Sequence, residues 1–134
     1  MFTKTIIAVL VFASLLGYQP QRTDAEPQVI LTPKEYISLY ASNKAIEKEL
    51  LLVAKCESNF KPTATHHNDG KKGSTSYGIY QYKIGTFEYF SKLMGENLDY
   101  YSYHDQIKLT AWIFANRPDL KKHWSCSKIT KVIK

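Results

Sequence analysis

One glutamate stands out by its position. Between about Asn43 and Ser58 the residues Ile46, Leu50, Val53 and Glu57 recur at spacings of 4, 3 and 4. Glu57 therefore falls at the C-terminal end of a core-facing helical stripe. A carboxyl half-sunk in apolar surroundings, near the negative end of the helix dipole, has its ionised form disfavoured on both counts. Its pKa should rise, which suits a general acid working near neutral pH. Periodicity alone is equally compatible with an ordinary helix-end glutamate turned to solvent.

The other reactive side chains point to less. His66, His67, His104 and His123 lack metal-ligand spacing, so no metal and no cofactor is expected. His66 and His67 are adjacent, point apart in an extended segment and read as surface. The 2 cysteines, Cys56 and Cys126, are too few for a Cys-rich zinc site or a disulfide-dense miniprotein.

What must position Glu57 is a single domain. The chain has 134 residues, with 44% hydrophobic and 22% charged side chains, which excludes disorder and coiled coil as overall descriptions. Its formal charge is +6, which favours polyanionic partners in general. The lysines are scattered and form no nucleic-acid arm, so nucleic acid is not an expected partner.

Residues 1–25 read as a signal peptide. Lys4 precedes the apolar run from Thr5 to Leu16, which fits an h-region and is short for a membrane span. Ala25 offers a small residue before a cut, although Thr23 makes the site imperfect. Contact with a membrane is expected only if this segment is retained as an anchor. The remaining domain, 26–134, is then exported, whether periplasmic, at the cell surface or secreted, and is expected to be monomeric. In an oxidising compartment Cys56 and Cys126 are a natural disulfide pair; two free thiols are the alternative.

Helix signals dominate 26–134. Thr32 caps, Pro33 suits the first helical position and Glu35 can complete a capping box. Tyr36, Ile37, Leu39 and Tyr40 supply that helix's apolar side. After Glu57, Lys61-Pro62 breaks the helix and Asn68-Asp69-Gly70 signals a turn. Thr63 to His66 and Gly73 to Tyr77 can pair across it as a polar hairpin. A further helix spans Thr86 to Met94, with Phe87, Phe90, Leu93 and Met94 on one side and Gly95 as its stop. Another starts at Ser102, presents Ile107, Ala111 and Phe114, and ends at Asn116-Arg117-Pro118. A short turn or helix from Asp119 to His123 leads to Trp124, and the Lys-rich tail is expected to fray. The fold class is α+β, mostly helical, with a small β-hairpin excursion between helices.

The segment 57–81 carries a resemblance. Glu57-Ser58-Asn59-Phe60, then Ala64-Thr65, Asn68-Asp69-Gly70 and Gly73-Ser74-Thr75-Ser76-Tyr77-Gly78-Ile79-Tyr80-Gln81 resemble the active-site stretch of the lysozyme superfamily. The opening and the close are most similar to animal c-type lysozymes, and the Glu-Ser…Gly-Ile-x-Gln skeleton is also that of bacterial lytic transglycosylases. The resemblance implies a lysozyme-like fold with a cleft between a helical lobe and the hairpin. It implies that Glu57 protonates the leaving oxygen of the β-1,4 bond between N-acetylmuramic acid and N-acetylglucosamine in peptidoglycan. It also implies that Tyr77-Gly78-Ile79-Tyr80-Gln81 floors the cleft, with Ser76 beside it as a further substrate contact, Gly78 allowing close backbone approach and Gln81 offering amide contacts to sugar or to Glu57. Tyr100, Tyr101, Tyr103, Trp112 and Trp124 could stack on sugar faces or pack in the core. Trp124 is the best placed of these if a Cys56–Cys126 bridge holds it near Glu57.

One position departs from the pattern. Animal lysozymes have Asp directly before the Tyr-Gly-Ile, where this chain has Ser76. A hydroxyl cannot replace a carboxylate as nucleophile or full-charge stabiliser, so the two-carboxylate retaining mechanism loses its second member. Asp69 is the nearest substitute but is expected at the far end of the hairpin. Lytic transglycosylases work with a single Glu, so the expected activity is cleavage that closes a 1,6-anhydro-muramyl ring. Single-Glu hydrolysis and a catalytically weak wall-glycan binder are the alternatives.

Overall fold

The computed structural model describes residues 29–132; the expected signal peptide at 1–25 lies outside them. Four α-helices and one hairpin follow in chain order: α1 (Pro33–Tyr40), α2 (Lys44–Ser58), β1 (Thr65–His67), β2 (Thr75–Tyr77), α3 (Ile84–Met94) and α4 (Tyr103–Asn116). Two 3₁₀ helices, Pro118–His123 and Ser125–Val132, complete the described chain. The fold is thus α+β and mostly helical.

Local chemistry accounts for the boundaries. The Thr32 N–H donates to Glu35 Oε2 at 2.7 Å and the Thr32 side chain accepts from the Glu35 N–H, closing the capping box ahead of Pro33. Asn43 Oδ1 accepts from the Ile46 N–H at 2.9 Å to start α2. Asn59, left-handed at φ 52°, ends α2 before Pro62 is reached. Ser102 caps α4 through the Asp105 N–H.

Differences from the expected pattern have helical geometry as their cause. Leu39 is 62% exposed and Leu93 38% exposed. At 3.6 residues per turn, Leu39 and Leu93 each fall about 60° outside the arcs formed by Tyr36, Tyr40 and Ile37 and by Phe87, Phe90 and Met94. The chain from Ser125 to Val132 winds into the second 3₁₀ helix, which it enters at the Cys56–Cys126 disulfide, with Cα atoms 6.0 Å apart.

The strands are short, with Thr65 opposite Tyr77, His66 opposite Ser76 and His67 opposite Thr75 in an antiparallel pair. Beneath them the core is built from Leu50 and Val53 of α2, Ile79 and Tyr80 of the following turn, and Ile107, Leu109, Ile113 and Phe114 of α4. α1 lies on α4, where the Tyr40 hydroxyl meets His104 Nε2 at 2.6 Å. Among the described residues no helix is long and apolar enough to cross a membrane.

Candidate active site

Glu57 sits on the last turn of α2, half-buried, at the point shared by two surface depressions. The larger is a cleft of about 410 Å³ that also takes in Asp69, Ser76, Gln81, Lys83 and His123. The smaller, of about 360 Å³, runs along the end of α2 toward Thr65 and His66. The apolar stripe of α2 continues into the core at Leu50 and Val53, so the same periodicity that folds the helix sets Glu57 at the margin between core and cleft.

Two links hold the helix end in place. The Ser58 hydroxyl donates to the Ile79 carbonyl at 2.8 Å, tying α2 to the turn after the hairpin. The disulfide at Cys56 brings the Cys126 backbone N–H onto the Glu57 carboxyl. Burial pushes that carboxyl above the usual carboxylate range, and the negative charge of Asp69 acts in the same direction. The Cys126 N–H and the positive charge of His66 oppose them without reversing the sign.

Ser76, expected to contact substrate, is instead fully buried, and its hydroxyl donates to Asp69 Oδ2 at 2.5 Å. The turn therefore folds back, and Asp69 stands in the same cleft as Glu57 rather than at the far end of the hairpin. The Asp69 carbonyl accepts from Lys83 Nζ at 2.8 Å, which closes the cleft wall on that side.

Gln81 occupies the cleft, but its amide serves the protein. Its Nε2 donates to the carbonyls of Ala64 at 3.0 Å and Gly78 at 2.7 Å. Two carbonyl acceptors fix which end of the amide is NH₂, so Oε1 is the acceptor that meets His66 Nδ1 at 2.5 Å. His66 must then carry its proton on Nδ1, and in its neutral form Nε2 is the acceptor.

Other expected floor residues are placed differently. Ile79 and Tyr80 are fully buried in the core, and Ile79 offers its carbonyl to Ser58. Gly78, at φ 86°, makes its close approach to Gln106, not toward the cleft; a Cβ there would lie 2.3 Å from Gln106 Nε2. Tyr77, one residue on from Ser76, takes the other side of the strand and joins Tyr100 and Tyr101 in a ring cluster with centroids 4.9–5.7 Å apart. That cluster does not line the cleft. Trp124 borders the cleft but is only 4% exposed, clasped by Tyr82 and Phe114, with Nε1 donating to the Tyr80 carbonyl at 2.8 Å. It is a core residue at the cleft wall, not an open stacking platform. Tyr103 is tied to the Leu31 carbonyl at 2.9 Å, and Trp112 packs against the core; neither lines the cleft.

His66 and His67 are exposed, as expected, but sequence reasoning did not place His66 near Glu57 and missed Lys83, His123 and the buried Gln106. His66 was legible in principle: a hairpin turning over Asn68–Ser74 sets it opposite Ser76 on one face. Gln106 gives no such signal, because a polar residue on a core-facing stripe identifies its partners only once the fold is known. It donates to the carbonyls of Tyr77 and Tyr100 and accepts from the Tyr80 N–H. Among the described residues no group of three or more His, Cys, Asp or Glu side chains is arranged to hold a metal ion.

Comparison with protein families, with curated proteins and with solved structures finds no match for this chain. The Cys56–Cys126 disulfide hints at an oxidising, exported environment.

Proposed function

We propose that this chain is a peptidoglycan-cleaving enzyme of the lysozyme superfamily, exported, and acting on the β-1,4 bond between N-acetylmuramic acid and N-acetylglucosamine as a lytic transglycosylase. The observation that carries the reading is Glu57: a half-buried carboxyl at the junction of two depressions, pushed by burial toward its protonated form. Two depressions that share Glu57 suit a polymer that continues on both sides of the bond to be broken.

In this reading Glu57 first gives its proton to the bridging oxygen, and the C1–O bond breaks with its electron pair on that oxygen. The N-acetylglucosamine leaves as the free 4-hydroxyl, and positive charge spreads over C1 and the ring oxygen of the muramyl sugar. The Glu57 carboxylate then takes the proton from the muramyl 6-hydroxyl as O6 bonds to C1, closing the 1,6-anhydro ring and returning Glu57 to its acid form. One carboxyl does both transfers and no water is consumed. The nearest rival is hydrolysis through the same acid.

Mass analysis of the products from purified cell walls tests this. Anhydro-muramyl ends are lighter than hydrolysed ends by one water, about 18 Da, as ring closure on the same carboxylate requires. Products bearing only reducing ends would overturn transglycosylation while leaving Glu57 as the acid. Walls left intact by the wild-type chain would overturn the enzyme reading.

A further inference from the structure

The hairpin turn brings a carboxylate against a strand hydroxyl in the cleft that Glu57 lines. Ser76 occupies the strand position before Tyr77-Gly78-Ile79, and its buried hydroxyl donates to Asp69 Oδ2 at 2.5 Å. Asp69 is also held through its backbone. Its N–H donates to the Ser74 carbonyl at 3.1 Å and its carbonyl accepts from Lys83 Nζ at 2.8 Å. The turn between them is closed by Asn68 Oδ1, which accepts from the Gly73 N–H at 2.8 Å. Three attachments therefore fix one carboxylate in the cleft that Glu57 lines. An acid held this firmly at a cleft wall is pre-organised, which is what electrostatic stabilisation of a transition state needs.

Resting on the peptidoglycan-cleaving reading, the geometry points to Asp69 as the second carboxylate of the cleft. It stabilises the positive charge that grows on the sugar ring as Glu57 protonates the leaving oxygen, and Ser76 is the residue that positions it. No bond forms to Asp69. Glu57 supplies the proton, the departing oxygen takes the electron pair, and Asp69 offsets the charge left on the ring until O6 closes on C1. Its cleft is also lined by Glu57 on α2, Lys83 ahead of α3 and His123 of the first 3₁₀ helix, and His66 on β1 lies opposite Ser76.

The test compares four forms of the full chain on purified peptidoglycan: wild type, Asp69→Asn, Ser76→Ala, and the exchange variant Asp69→Ser with Ser76→Asp. Asp69→Asn keeps an acceptor for Ser76 but removes the charge, and should lower kcat by about 10²–10³-fold with little change in KM. Ser76→Ala should lower kcat less and broaden the pH profile's dependence on salt, because a released carboxylate is more exposed to screening. The exchange variant moves the charge from turn to strand and should recover most of the rate. A kcat for Asp69→Asn within twofold of wild type would overturn the assignment while leaving Glu57 and the enzyme reading in place. An exchange variant that melts like wild type yet stays as slow as Asp69→Asn would reduce Asp69 to a turn staple and overturn it equally. A wild-type chain no faster than Glu57→Gln would sink both readings together.

Discussion

The Glu57 carboxyl feels opposing influences from three elements, and removing them one at a time has a fixed sign. Burial and the Asp69 charge raise its pKa, while the Cys126 N–H and the His66 charge lower it. A general acid works while protonated, so activity falls as pH rises through its pKa, giving the alkaline limb of the pH–rate profile. Glu57→Gln removes the proton and should cost about 10²–10⁴-fold in wall clearing with the far-ultraviolet spectrum unchanged. His66→Ala removes an opposing charge, so the Glu57 pKa rises and the alkaline limb of kcat/KM moves to higher pH. Asp69→Asn acts oppositely: the limb moves to lower pH in whatever activity is left. Limbs that shift in the same direction for both variants would show that neither charge is felt at Glu57.

The hairpin and the turn after it translate helix packing into site geometry, and Gly78 is where that translation is tightest. Its φ of 86° belongs to the left-handed region, and the space beside it is filled by the Gln106 amide. Gly78→Ala adds left-handed strain and overpacking together, about 2–4 kcal/mol of destabilisation measured by thermal unfolding. Because Gln106 also anchors Tyr77, Tyr80 and Tyr100, the variant should loosen the strand that carries Ser76. Periodicity and caps made the helices legible: Thr32-Pro33-x-Glu35, Asn43, Gly95 and Ser102 each mark a boundary that the fold uses. The Asn68-Asp69-Gly70 signal placed the turn, and the helical stripe placed Glu57 beside the core. What stayed hidden depends on contacts between segments distant in sequence. Asp69 reaches Ser76 only because the turn curls back over β2, and Gln81 serves Ala64, Gly78 and His66 because the 77–82 turn brings them together. Trp124 and Ile79 show the converse. A residue type suited to sugar contact is equally suited to a core, and burial decides between them.

At the scale of the molecule, the disulfide is the one covalent tie between the helix that carries Glu57 and the C-terminal 3₁₀ helix. It closes a loop with a sequence separation of 70, for which chain entropy gives about 4 kcal/mol. That is a large fraction of the roughly 5–15 kcal/mol by which a domain of this size is stable. The same bridge presents the Cys126 N–H to the Glu57 carboxyl, so stability and acidity share one cross-link. The double variant Cys56→Ser with Cys126→Ser should lower the unfolding midpoint. Below that midpoint, the freed N–H no longer stabilises the Glu57 carboxylate, so its pKa rises further and the alkaline limb of the pH–rate profile moves to higher pH. Thermal unfolding and the profile are measured on the same preparation, with dithiothreitol-treated wild type beside it. A lower midpoint with an unmoved limb would mean that packing along α2 alone holds the Cys126 backbone against Glu57. A limb that moves with the bridge means that an oxidising compartment sets the working pH of the site as well as the survival of the fold.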